Sequence, residues 1–345
     1  MNKANPIIHN GCHIIDYKQY FEWWYFDFDL EGQYHIYIEW HAPNFTLRDE
    51  SCLLIIRMHN KAKKQSEDSK IKTFRYHRSL ITQKETSCDI VFPSGHITEK
   101  DDSYFINVNE RDLLINLTLK RLSPPVIAED EVLYCTKDGK EFFAWNVPIP
   151  RGEVTGEIEL SDEQIDVHGT VYHDHNWGNL NIGKHLLGWI WLRILFDDFT
   201  LIFGDMTVKE SSEKQQVLLL IDKDGKKIDI SSLQVHYTDY KKHHNSSIPY
   251  SVQITCNNKK YRVHLSAEYI LSTQEFPLGS FDKHLWNSCL AKTYYLLKMN
   301  NAPNFIKKWF GNSLYFQFLV KGKFYIDDEL IDITNGKMEV FSFAN

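Results

Sequence analysis

Phe21-Glu-Trp-Trp-Tyr-Phe-Asp-Phe28 and, after a Glu31-Gly32 turn, Tyr34-His-Ile-Tyr-Ile-Glu-Trp-His41 together decide the class of fold. Successive side chains of a strand point to opposite faces, so Glu22, Trp24, Phe26 and Phe28 share one face while Trp23, Tyr25 and Asp27 share the other. Both faces are aromatic, which is the pattern of a strand covered on both sides. The returning stretch sets His35, Tyr37, Glu39 and His41 against Ile36, Ile38 and Trp40, and the pair reads as a hairpin.

Outward from this hairpin the chain continues in strands. They are expected at 51–59, 72–76, 87–92, 103–109 and 112–121, with the charged stretch 60–70 as a solvated loop. Pro124-Pro125 and Pro148-Ile-Pro150 bracket a connecting region in which proline should end regular pairing around one short strand, 142–147. Segments 153–160 and 165–174 then lead to Gly178. A second hairpin follows, Trp189-Ile-Trp-Leu-Arg-Ile-Leu-Phe196 and Phe199-Thr-Leu-Ile-Phe203, again apolar on both faces, with Trp189, Trp191 and Arg193 on one side. Later strands near 215–221, 233–240, 250–256, 259–271, 313–320 and 322–328 have the spacing of antiparallel barrels. The fold class expected is therefore mainly β, with two antiparallel β-barrel domains, 1–183 and 184–345. An alternative boundary lies in 122–152.

One segment breaks the pattern. Residues 280–311 carry helical spacing, with Phe281, Leu285, Cys289 and Leu296 near one face, Ser280 as N-cap and Asn300-Asn-Ala-Pro303 as stop. This helical insert in the second barrel bears Lys283, Lys292, Lys298, Lys307 and Lys308 against Asp282 alone. Two readings are open for it: a helix packed on the barrel, or a peripheral membrane contact.

Composition excludes several classes. A net charge of -7 and a pI near 6.1 leave no electrostatic footprint for nucleic acid, so no nucleic-acid partner is expected. The six cysteines lack a C-x-x-C pair, which removes zinc ribbons and small disulfide scaffolds. No apolar signal region follows Met1, and no run reaches the ~20 apolar residues of a spanning helix. A cytoplasmic protein, membrane-associated if the insert docks, is the expectation.

Ionisable and aromatic residues crowd most closely in Gly169-Thr-Val-Tyr-His-Asp-His-Asn-Trp-Gly178. In a strand, Val171, His173, His175 and Trp177 share one face, and Tyr172, Asp174 and Asn176 the other. Alternation leaves open which face lines a pocket. The flanking glycines allow a bend or a close backbone approach. His173-x-His175 supplies two imidazoles to one face, but no Glu follows at three or four residues and His168 has the wrong parity. Neither a metal nor any other cofactor is expected. There is no G-x-S-x-G, P-loop or G-x-G-x-x-G motif.

Glu22-Trp-Trp-Tyr-Phe26, Tyr172-His-Asp-His-Asn-Trp-Gly178 and Gly188-Trp-Ile-Trp191, in that order, resemble the carotenoid 1,2-hydratase (hydroxyneurosporene synthase) and AttH-like family. The resemblance covers about the first 200 residues. It implies two lipocalin-like barrels with a hydrophobic pocket near their junction. It also implies a lipophilic small-molecule substrate, as in hydration of an isolated alkene or cycloaddition of a polyene.

Protonating an unactivated alkene requires a carboxyl group kept neutral in a low-dielectric site. Asp174 is the candidate acid, with His173 and His175 to orient it or to take a proton from water. Glu22, Trp24, Tyr25, Tyr172, Asn176, Trp177, Trp189 and Trp191 are the candidate substrate-binding residues. For the tryptophans, pocket wall and barrel core both stand; for Glu22, a bond to an indole N–H and a hold on substrate both stand. The function expected is a cofactor-independent hydratase or cyclase of an unsaturated terpenoid- or polyene-like molecule. The alternatives are a pericyclase and a lipophile-binding protein without catalysis.

Overall fold

The structure, a computed structural model, describes residues 10–13, 20–31, 34–42, 51–62, 70–160, 163–196, 198–209, 214–243, 246–276 and 313–342. The helical insert and its membrane contact lie outside the described residues. Two compact units divide after Leu180, with Lys223–Lys226 returning to the first. Each is built on one antiparallel sheet, and the mainly β, two-barrel expectation holds.

The first sheet contains β1 (Phe21–Leu30), β2 (Tyr34–His41), β3 (Ser51–Asn60), β4 (Lys70–His77), β5 (Thr82–Gln83), β6 (Asp89–Phe92), β7 (Gly95–Lys100), β8 (Ser103–Glu110), β9 (Leu113–Arg121), β10 (Val126–Cys135), β11 (Phe142–Leu160) and β12 (Glu163–Gly178). Its order is β4-β3-β2-β1-β12-β11-β9-β8-β7-β6-β5, with β10 beside β11. The expected aromatic strand, β1, lies in the middle, hydrogen-bonded to its hairpin partner β2 and to β12, which is remote in sequence. Trp24, Phe26, Phe28 and Leu30 of β1 join Ile36, Ile38 and Trp40 of β2 and Val171 of β12 in one core. Phe26 and Phe28 are fully buried, each contributing about 1.5–3 kcal/mol relative to exposure. The sheet curls until its two ends meet across this core. Trp40 stacks on Phe92 of β6 with ring centroids 4.8 Å apart, and the Tyr76 hydroxyl of β4 donates to Glu110 of β8 at 2.7 Å.

One local reading is corrected. Pro148 and Pro150 do not end pairing: β11 runs through them and absorbs them as register shifts between Asn146 and Gly152. Of the two uses expected of the glycines in the 169–178 stretch, a bend or a close backbone approach, the structure shows the second. A Cβ on Gly169 would run into the Asp29 carbonyl oxygen, and one on Gly178 into that of Phe142.

The second sheet repeats the scheme. It contains β13 (Leu186–Leu195), β14 (Phe199–Val208), β15 (Lys214–Asp222), β16 (Lys227–Ile228), β17 (Gln234–His243), β18 (Ser246–Cys256), β19 (Tyr261–Phe276), β20 (Ser313–Ile326) and β21 (Glu329–Ser342), in the order β16-β15-β14-β13-β21-β20-β19-β18-β17. As in the first unit, the opening strand pairs with the second strand and the last. Leu192, Ile194, Phe203, Phe318 and Val340 fill its core, and the Tyr237 hydroxyl of β17 donates to Asp205 of β14 at 2.6 Å across it. The expected strands at 313–320 and 322–328 are one strand, β20, followed by a hairpin to β21. Among the described residues the one α-helix is the single turn α1 (Ile182–His185), and no helix is long and apolar enough to cross a membrane.

Candidate functional site

Antiparallel pairing fixes which residues share a face, because directly opposed residues point the same way. On the face of the first sheet away from its core, β12, β1, β2 and β3 present a lattice of side chains. Asn176, Trp23, His41 and Leu53 form one row; Asp174, Tyr25, Glu39 and Ile55 the next; Tyr172, Asp27, Tyr37 and Arg57 the third. A sheet face of this composition is ordinarily solvated. Here Tyr25, Asp27, Tyr37, Glu39, His41, Arg57, Tyr172, Asp174 and Asn176 are all buried.

Asp174 is held on this face by its own strand. The Tyr172 hydroxyl donates to one carboxylate oxygen at 2.9 Å and the Asn176 amide to the other at 2.7 Å. Both donors lie two residues away on β12, so the strand's own period delivers them. Tyr25, between Asp174 and Glu39 in its row, packs edge-on to Tyr172 with centroids 6.4 Å apart and lies 5.8 Å from Tyr37. Beyond Tyr25, Arg57 donates to Glu39 at 2.6 Å, and the other Glu39 oxygen lies 3.0 Å from His41 Nε2. Burial alone would raise the Glu39 pKa, but the Arg57 guanidinium and the His41 bond outweigh it and hold the carboxyl below the usual range. Glu39 is therefore a fixed anion that orients His41. Two strand spacings, about 10 Å, separate the backbones carrying Asp174 and Glu39.

The other face of β12 is different. His173 stacks on Phe26 with centroids 4.0 Å apart, and its Nδ1–H donates to the Tyr25 carbonyl at 3.0 Å. Its Nε2, then an acceptor, receives a hydrogen bond from the Asn10 amide at 3.2 Å. Desolvation drops the His173 pKa to about 3, so this is a neutral core histidine with both nitrogens used. His175 stacks on Trp24 at 4.3 Å and donates through Nε2 to Glu22 at 2.9 Å. The expectation that these two imidazoles flank and orient Asp174 is corrected by the strand period: they point to the opposite side of the sheet. Asp174's face carries His35, His41 and His59, of which His41 lies in the row next to that of Asp174.

Glu22 is fully buried and collects donors. His13 Nδ1 lies 2.8 Å from it, His13 N–H donates at 3.0 Å, and the Tyr20 hydroxyl donates to its second oxygen. Burial opposes its charge, yet the bonds from His13 and His175 hold its pKa below the carboxylate norm. Trp177 stacks on His13 at 4.0 Å, and the Trp24 indole donates to the Asn10 carbonyl at 3.1 Å. Trp24 is thus core. Trp189 and Trp191 lie on β13, on the face of the second sheet away from its own core: Trp189 stacks on Phe341 at 4.5 Å, and Trp191 opposes Glu339 in register. With them on that face are two buried cations opposed in register, Arg193 and Lys337.

The sequence reading missed Arg57 and the Glu39–His41 pair as site members. Their signal was present: Glu39 and His41 alternate with Ile38 and Trp40, and Arg57 is the one charge inside an otherwise apolar run.

The AttH-like family matches residues 16–288. Among solved structures, an AttH-like protein of Nitrosomonas europaea superposes with a TM-score of 0.63 at 15% identity over 94% of this chain and 93% of that one. CghA, solved with Sch210972, gives 0.64 at 11% identity over 99% and 96%. Kievitone hydratase from Nectria haematococca gives 0.59 at 9% identity over 99% and 94%. At such identities these likenesses show a shared fold. No curated protein matches the sequence.

Proposed function

Because the chain belongs to the AttH-like family, we propose that it is an enzyme that protonates an alkene of an unsaturated, terpenoid- or polyene-like molecule, leading to hydration or cyclisation. The observation that carries this reading is Asp174, buried on an aromatic face between Tyr172 and Asn176. A carboxyl group there gives up its proton into an environment already arranged for the carboxylate. The two donors gain strength as negative charge develops, which lowers the barrier rather than the ground state. Tyr25, Tyr172 and Trp23 offer ring faces to the developing cation, each worth about 0.5–2 kcal/mol. For hydration, His41 takes the proton of the attacking water, with Glu39 and Arg57 fixing the imidazole. A neighbour of the same fold is named a hydratase, which agrees with this class.

Pericyclic ring closure without proton transfer is the second reading, and one observation favours it. Both donors at Asp174 point at its oxygens and support the ionised form, whereas an acid must hold its proton until use. The lipophile that co-purifies with the chain, identified by native mass spectrometry and returned to the protein in deuterated water, separates the two. Proton-initiated chemistry leaves deuterium on carbon, and a pericyclic reaction does not.

A further inference from the structure

On the opposite side of β12 from Asp174, three potential metal ligands converge. We infer that His13, Glu22 and His175 form a binding site for a divalent first-row transition-metal ion, a site independent of the proposed proton transfer. Their ligating atoms all lie within 4.8 Å of one another. His13 Nδ1 and His175 Nε2 stand 2.8 and 2.9 Å from the same Glu22 oxygen. Ligand bonds of 2.0–2.2 Å meeting at right angles put neighbouring donor atoms about 2.8–3.1 Å apart, so both separations match the edges of one coordination shell.

The side chains are preorganised. His175 is clamped on Trp24, and His13 lies flat on Trp177, 5° from parallel. Glu22 is oriented from behind by the Tyr20 hydroxyl and the His13 N–H, in the manner of groups that support a metal-bound carboxylate. Two imidazoles with one carboxylate are the donor set of zinc and non-haem iron sites. A divalent ion replaces the protons that now bridge the imidazoles to Glu22 and offsets a carboxylate with no exposure at all. The side of the cluster at His13, whose side chain is 23% exposed, gives the ion a way in and leaves positions for water.

Sequence spacing could not reveal this set, because the two ligands that join His175 come from β1 and the segment before it. His173, the partner that spacing suggests, is not a ligand: its nitrogens are taken by Tyr25 and Asn10.

The test uses the untagged full chain, stripped with chelator and titrated with Co²⁺ under visible absorption and with Zn²⁺ under calorimetry. One equivalent of each is expected to bind. Loss of an outer-shell partner alone weakens metal sites by about 10–100-fold, so His13→Asn and Glu22→Gln should each weaken binding at least tenfold and blunt the Co²⁺ ligand-field bands. His13 is at the rim, so His13→Asn remains informative if Glu22→Gln does not fold. Substituting the exposed His168 and His236 by Asn controls for surface histidines and should change nothing. Wild-type protein that binds no ion, or folded His13→Asn that binds like wild type, overturns the site.

Discussion

His173 gives the most direct reading of which face of β12 is core. In the folded chain its pKa is lowered from 6.5 to about 3, chiefly by desolvation. Between those values the unfolded chain binds a proton that the folded chain refuses, so stability falls as pH falls from about 6.5 and the loss levels off near 3. At pH 5 the unfolded imidazole is protonated by about 1.5 pH units and the folded one hardly at all. At about 1.36 kcal/mol per unit the cost is about 2 kcal/mol. His173→Gln keeps a donor for the Tyr25 carbonyl and an acceptor for Asn10 but cannot titrate. Urea unfolding in the presence of chelator, at pH 7.5 and pH 5, should show the variant losing about 2 kcal/mol less than wild type over that interval. Equal losses would refute a neutral, fully used His173 and return it to the list of candidate proton carriers.

Three further outcomes follow from the same geometry. Arg57→Met strands the buried Glu39 carboxylate and should lower the unfolding free energy by about 3–5 kcal/mol; an unchanged urea midpoint would show the pair to be screened by water. Gly169→Ala should lower Tm markedly or prevent folding, because its Cβ meets the Asp29 backbone carbonyl rather than a yielding side chain; a Tm within a degree of wild type would contradict the β1–β12 register. His41→Asn should cut hydration turnover about 10²–10⁴-fold while leaving binding of the lipophile intact; near-normal turnover would remove His41 as the base for water.

Much of this was legible beforehand. The strand period alone placed Asp174, Tyr172 and Asn176 on one side and His173, His175 and Trp177 on the other, and it marked β1 as covered on both faces. It could not say which side was core, since both carry polar and aromatic groups. The β1–β12 pairing that answers this joins residues far apart in sequence, and local periodicity holds no information about it. Strand β21 was not among the expected strands; its ladder with β20 crosses Asn335-Gly336, a pair common in tight turns, by a register shift. Proline misled in β11. Its lost hydrogen bonds interrupt a ladder locally, and the long flanking strand is paired on both sides of the break.

The central claim is that Asp174 donates the proton. With the co-purified lipophile identified, wild type and Asp174→Asn should be compared in deuterated water, product formation followed by mass spectrometry and ligand binding by fluorescence. Wild-type product should carry one deuterium at the protonated carbon, and the folded variant should bind the lipophile but turn it over at least ~10²-fold more slowly. Product without deuterium, or a folded Asp174→Asn protein working at near-wild-type rate, would contradict the claim.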